Sequence, residues 1–270
     1  MADLKGKVAL VTGGGTGIGK GIGERFHSLG MHVALAGLDQ ARDAANQYHG
    51  RNMGGYTAAR STAEALGDRA LAIEADVTDP TQVAAMTKAA IDAFGRIDVL
   101  VNGAGVITAK PLEDVTEADW DSIMDVNAKG TFLTNQAVVA EMRRQGDGGR
   151  IINIASIAGK LGVPMLTHYC ASKWAVVGFS LALSKEVAKE GITVNCLCPG
   201  IVGTQMWTLL SQTFAEPGES ESESYKRSVE AFIPQGVPQT VEDMADMAVY
   251  LATAAHVTGQ AMAVDGGASH

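Results

Sequence analysis

The sequence predicts an α/β protein: one doubly wound domain, a seven-stranded parallel sheet with helices on both faces. Three observations predict it. Seven short apolar runs alternate with helical patterns along the 270 residues. The first run passes directly into a glycine cluster and then a helix. No internal repeat or linker interrupts the alternation, so residues 1–270 read as a single domain.

Hydrophobic residues make up 46% and charged residues 19% of the chain, ordinary for a soluble protein with a sizeable core. The net charge of -9 argues against nucleic acid, because phosphate contacts need clustered Lys and Arg. The start lacks the apolar core of a signal peptide, and no apolar stretch approaches the ~20 residues that cross a bilayer. A cytoplasmic protein without a membrane partner is expected. Cys170, Cys196 and Cys198 read as reduced thiols, and the six histidines show no ligand spacing, so no protein-built metal site is expected.

Val8 to Thr12 reads as the first strand, followed by Gly13-Gly14-Gly15-Thr16-Gly17-Ile18-Gly19 and a helical pattern through Phe26. Strand, glycine turn and helix form a phosphate cradle: glycines let the backbone approach a pyrophosphate, and the helix N-terminus offers free N–H groups. Far downstream, Tyr169 and Lys173 head an apolar helical run. Four apart, they stand on one helix face, where phenol and ammonium can meet over one reacting atom. A free phenol titrates near 10. An ammonium ~4 Å away at an effective dielectric near 20 is worth roughly 4 kcal/mol, enough to bring the phenol well toward neutral pH. A chance pair with its lysine in solvent is the alternative reading.

The spacing Gly13-x-x-x-Gly17-x-Gly19, together with Tyr169-x-x-x-Lys173, resembles the short-chain dehydrogenase/reductase family. The resemblance runs from Leu10 to Gly267 and implies a Rossmann fold, a nicotinamide cofactor and, from the family, a homotetramer. It places the cofactor against Gly13, Gly15, Thr16, Gly17, Ile18 and Gly19, with Tyr169 and Lys173 also touching it.

The second strand, His32 to Gly37, delivers Leu38 and Asp39 some twenty residues past the glycine turn. An acid there bonds the adenosine ribose and repels a 2′-phosphate, and neither Leu38 nor Thr16 offers the cation that NADP binders carry, so NAD is favoured over NADP. Asp39 stands two places beyond the family's commonest acid position, which Gly37 holds here. Residues 40–69 form a longer connection than usual, a helical start at Ala41 to Ala45 broken by Gly50 to Gly55 before Ala58 to Leu66 resumes. A surface excursion is its expected meaning, and Arg42 or Arg51 on a 2′-phosphate the less favoured one.

The third strand, Ala70 to Ala75, leads to Asp76 and Val77, which the resemblance places at the adenine. Asp79 or Thr78 starts the helix to Phe94. Ile97 to Val101 is the fourth strand, and Asn102-Gly103-Ala104-Gly105 stands where the family has Asn-Asn-Ala-Gly. Ala104 and Gly105 let the chain pass close to the cofactor, while Asn102 is expected to bond backbone across strands. Asp119 to Gln145 reads as one long helix, and at Asn127 the family has an Asn that kinks the helix and holds a water against the lysine.

The fifth strand, Ile151 to Ala155, delivers Ser156, which matches the family serine that bonds the substrate oxygen. The tyrosine helix runs to about Lys189, and the sixth strand, Ile192 to Cys198, ends in Pro199, Gly200, Val202 and Thr204, which the resemblance places along the nicotinamide and phosphates. Residues 203–234 read as a helical lid with Met206 and Trp207 as pocket walls, joined to a solvated acidic loop over Glu216 to Ser224. Val241 to Ala252 is the last helix and Gln260 to Val264 the seventh strand.

The implied activity is NAD-dependent hydride transfer on a secondary alcohol or ketone, with Asn127, Ser156, Tyr169 and Lys173 as the catalytic set. The lid loosely resembles bacterial sorbitol and butanediol dehydrogenases, which suggests a small polyol, diol or sugar alcohol. A 3-oxoacyl reductase or hydroxysteroid dehydrogenase fits the same core, and a non-catalytic dinucleotide sensor is the alternative from another class.

Overall fold

A computed structural model describes residues 3–39 and 55–269. Seven strands form one sheet: β1 (Val8–Thr12), β2 (His32–Gly37), β3 (Ala70–Glu74), β4 (Val99–Asn102), β5 (Gly149–Ile154), β6 (Ile192–Pro199) and β7 (Ala261–Val264). They lie in the order β3-β2-β1-β4-β5-β6-β7, every neighbouring pair parallel. The seven predicted strands and their parallel arrangement are therefore observed. Chain direction across the sheet reverses between β1 and β4, which opens a crevice at their carboxyl ends.

Alternation along the strands builds two cores. Ala9 and Val11 of β1, Val99 and Val101 of β4 and Ile152 of β5 face α1 (Gly17–Ser28) and α9 (Val241–Thr253), through Ile22, Phe26, Met244, Ala248 and Leu251. Leu10, Leu100 and Ile151 point the other way, to Val83, Met86, Val138 and Met142 of α3 (Pro80–Phe94) and α5 (Gly130–Gln145). Strands covered on both faces have no polar side to show, which is why they read as continuous apolar runs. Asp79 starts α3 as expected, its carboxylate accepting from the Thr81 amide at 2.8 Å.

Three readings need correction. The expected single helix over 119–145 is divided into α4 (Glu117–Ile123), a π-helical turn (Met124–Lys129) and α5. The acidic run is not all loop. After α7 (Gln205–Thr213), Ser220 and Glu223 form a reciprocal capping box that starts α8 (Glu221–Phe232), so the acids sit at the positive end of a helix dipole. Asn102 bonds side chains rather than backbone, its amide donating to Asn153 Oδ1 at 2.8 Å and its oxygen accepting from Thr134. The long connection resumes as α2 (Tyr56–Leu66), while its earlier part, with Arg42 and Arg51, lies outside the described residues.

Asn153 joins three elements across the buried seam of the sheet. Its oxygen accepts from Asn102 and from Asn135 of α5 at 3.0 Å, and its amide donates to Ser180 Oγ at 2.8 Å on α6 (Thr167–Val187). Truncating it would take a partner from three buried groups, of which Asn135 and Ser180 keep bonds to the Thr131 and Val176 carbonyls while the Asn102 amide loses its partner on β5. Asn153→Ala is expected to lower unfolding free energy by roughly 2–5 kcal/mol in urea denaturation; a change within about 0.5 kcal/mol would show that the network is dispensable.

Candidate active site

The crevice at the β1/β4 reversal is a cleft of about 540 Å³. Its floor is the glycine turn between β1 and α1. A Cβ on Gly19 would collide with the Gly13 carbonyl oxygen, and one on Gly13 would reach the Gly103 backbone at 2.6 Å. Thr12 Oγ1 accepts from the Gly103 and Ala104 amides at 3.2 and 3.3 Å, locking this turn to the loop after β4. The backbone is thus packed against backbone, and the open side of the cradle fits a pyrophosphate.

Of the residues singled out in the sequence, Gly13, Gly15, Thr16, Gly17, Ile18, Gly19, Leu38, Asp76, Val77, Ala104 and Gly105 line the cleft. So do Ser156, Tyr169, Lys173, Pro199, Gly200, Val202, Thr204, Met206 and Trp207. Three do not: Asp39, Asn102 and Asn127. Asp39 turns aside, both carboxylate oxygens accepting from the Thr57 amide at 3.0 and 3.2 Å and one also from the Thr57 hydroxyl. Its charge therefore caps the N-terminal turn of α2. Gly37 and Gly55, whose backbones touch, close the wall beside it.

Tyr169 and Lys173 occupy successive turns of α6, both buried, with the ammonium 5.6 Å from the phenol ring centroid. Lys173 Nζ donates to the Ile154 carbonyl at 3.0 Å, at the end of β5. Burial pulls its pKa down to about 8, because desolvation disfavours the charged form. Nearby Cys196 and Cys198 are pushed up to about 12 and about 11 by burial, so both thiols are protonated when the lysine titrates and offer it no counter-charge. Ser156 follows Ile154 by two residues, and its Oγ accepts from the Ala158 amide at 3.1 Å.

Asn127 sits in the π-helical turn, 1% exposed. Its oxygen accepts from the Val106 amide at 2.9 Å, and its amide donates to the Val106 carbonyl at 2.9 Å and to Ser172 Oγ at 3.0 Å. Ser172 in turn donates to the Tyr169 carbonyl at 2.7 Å. One amide therefore ties the loop after β4 to the helix that carries Tyr169 and Lys173. The element that presents this side chain to both is a π-helical turn, in which the hydrogen-bond ladder holds one residue more than in an α-helix. Beside it, fully buried His168 meets Thr108 Oγ1 through Nε2 while its Nδ1 has no hydrogen-bond partner; burial lowers its pKa.

Sequence reasoning missed much of the outer wall. Val163, Pro164, Met165 and Leu166, just before the tyrosine helix, line the cleft, as do Arg227 and Phe232, while Leu210 and Phe214 join Met206 and Trp207 there on the expected lid helix. The apolar run before Tyr169 was a readable signal for the first group. Arg227 and Phe232 carry no such signal, because the loop reading of Glu216 to Ser224 covers the start of α8 and no element is expected between it and Val241.

Residues 7–214 match the family model described as short chain dehydrogenase. Galactitol 2-dehydrogenase of Agrobacterium fabrum (strain C58 / ATCC 33970) is 36% identical, with 98% of each chain covered. L-2,3-butanediol dehydrogenase of Corynebacterium glutamicum is 38% identical over 97% of this chain and 98% of that one. The solved structure of actinorhodin polyketide ketoreductase with NADPH superposes with a TM-score of 0.88 at 33% identity, each chain covered in full. Motif spacing, sheet order and these likenesses agree, and the chain belongs to the short-chain dehydrogenase family, whose members are oxidoreductases acting on alcohols and ketones.

Proposed function

We propose that this protein moves a hydride between a nicotinamide cofactor and a secondary alcohol or ketone, with Ser156, Tyr169 and Lys173 at the reacting carbon and Asn127 positioning them. The observation that carries this reading is the convergence of Ser156, Tyr169 and Lys173, from β5 and α6, on one cleft floored by the glycine cradle.

The cofactor supplies the hydride acceptor when bound. Gly13 to Gly19, Asp76 and Val77 would hold its adenosine and phosphates, and Pro199, Gly200, Val202 and Thr204 its nicotinamide end. In alcohol oxidation Tyr169 takes the hydroxyl proton, and Ser156 Oγ donates to the oxygen that becomes the carbonyl. Lys173 stabilises the phenolate through its charge, and its ammonium would bond a ribose hydroxyl of the bound cofactor. Because burial sets the lysine near 8, that charge is present at neutral pH and fades as pH rises past this value. Asn127 holds the loop and the helix in register and supports a water path past Lys173 to solvent.

NAD is the favoured cofactor. The described lining beside β2, which includes Gly37, Leu38, Gly55 and Asp76, carries no cation for a 2′-phosphate. Asp39 supports this less than its sequence position suggests, since Thr57 occupies its carboxylate. The relatives named for galactitol and L-2,3-butanediol favour a small polyol or diol as substrate, whereas the wall around Tyr169 favours an apolar one. A cytoplasmic homotetramer completes the reading, in keeping with the family resemblance. Among the described residues no helix is long and apolar enough to cross a membrane.

Two outcomes are expected. Tyr169→Phe keeps cofactor affinity in fluorescence titration but loses turnover by a factor on the order of 10² to 10⁴; near-normal kcat would refute the acid/base role. With wild-type protein and a saturating alcohol, kcat/KM for NAD exceeds that for NADP at least about tenfold, a margin of about 1.4 kcal/mol. A preference for NADP would mean that a cation outside the described wall reads the phosphate.

A further inference from the structure

Lining chemistry separates the two ends of the cleft. Around Tyr169 the packed side chains are Ile107, Ala109, Ala158, Leu166, Cys170 and Leu210, with Val163, Met206, Trp207 and Phe214 against them. The neutral polar side chains beside this apolar set are Gln205, at the start of the lid, and Ser228 of α8. Ser156 and Tyr169 are committed to the reacting oxygen in the proposed reaction. Among the described lining residues the cations are Lys173 and Arg227, and Arg227 is already engaged. Its Nε and Nη2 donate to the Glu219 carboxylate at 2.8 and 2.7 Å, and Nη2 also donates to the Phe214 carbonyl at 2.8 Å. Glu216 lies 3.8 Å from Nη1.

A sugar alcohol would bring several further hydroxyls to this wall. Beyond those that Gln205 and Ser228 could meet, each would leave water without gaining a matched partner, which costs binding roughly tenfold per orphaned group. An apolar body loses nothing by the same transfer and gains the burial. An anionic substrate fares no better. The nearby guanidinium is neutralised by Glu219, and the lid around it carries Glu216, Glu221 and Glu223 as well. A thioester on a phosphorylated carrier would approach against that charge.

Resting on the hydride-transfer reading above, we propose that the substrate is an uncharged secondary alcohol or ketone with a bulky apolar body, rather than a polyol or a carrier-bound 3-oxoacyl thioester. The body packs on Met206, Trp207 and Phe214 of the lid and on Val163 and Leu166 ahead of the tyrosine helix. The carbinol carbon gives its hydrogen with the bonding pair to nicotinamide C4, its hydroxyl proton passes to Tyr169, and ketone and reduced nicotinamide leave with one proton released.

The test compares 4-tert-butylcyclohexanol with sorbitol, galactitol and 2,3-butanediol in oxidation, and 4-tert-butylcyclohexanone with acetoacetyl-coenzyme A in reduction. Trp207 fluorescence reports binding of the same compounds, with Trp207→Phe as the control that removes the signal. The expected result is a kcat/KM for the bulky alcohol about 100-fold or more above that for sorbitol, the ketone preferred over the thioester, and a Trp207 response to the apolar compounds alone. A preference for sorbitol, galactitol or the thioester overturns the inference. Trp207 responding to the apolar alcohol without any turnover supports the inference while refuting the hydride-transfer reading. No fluorescence response and no turnover with the apolar pair overturns the inference by itself.

Discussion

A lysine ammonium taken out of water beside a tyrosine is the constraint on which the rest of this structure depends. Lys173 is 5% exposed, and its burial costs the charged form enough to bring its pKa to about 8. Such a group is tolerated only where oxygen acceptors are fixed around it. The Ile154 carbonyl supplies one because β5 ends there, and the Asn127 amide fixes the neighbouring turn of α6 through Ser172. The cost is structural, and it leaves a charge that acts through a short, poorly screened path on the phenol next to it.

Two further arrangements serve the same end. The all-parallel sheet sends the ends of β1, β4, β5 and β6 to one edge, so that groups far apart in sequence share one cleft. Close backbone packing between the glycine turn and the loop after β4 then leaves the cradle open to a phosphate. The π-helical turn at Met124–Lys129 belongs to the same arrangement, since it carries the Asn127 amide that bonds both Val106 and Ser172. The lid is a different material. Its α7 and α8 are joined by the Arg227 clamp and by an edge contact of Trp207 with Tyr225, ring centroids 6.2 Å apart.

How much of this was legible in the sequence follows from the range of each signal. The strands were readable because burial on both faces leaves an apolar run with no competing pattern. Tyr169 and Lys173 are readable because their spacing is local, whereas Ser156 is singled out by the resemblance. Asn127 was found by resemblance alone, and the π-turn that positions it has no periodicity of its own. Asp39 illustrates the opposite case. Its distance from the glycine turn suits a ribose, yet Thr57, eighteen residues on, takes its carboxylate. The acidic run was misread because a capping box and a solvated loop share the same Ser and Glu residues, and only the buried Ser224, Ser228 and Val229 distinguish them.

The most direct measurement is the ultraviolet titration of tyrosinate near 295 nm, taken as the difference between the wild-type chain and Tyr169→Phe. This difference isolates one phenol among the five tyrosines and needs neither substrate nor turnover. The account predicts a phenol that ionises well below the ordinary value of about 10, and whose titration moves upward by about one pH unit or more in Lys173→Met. A Tyr169 that titrates at or above the ordinary value, or whose titration is the same with and without the Lys173 charge, would contradict it.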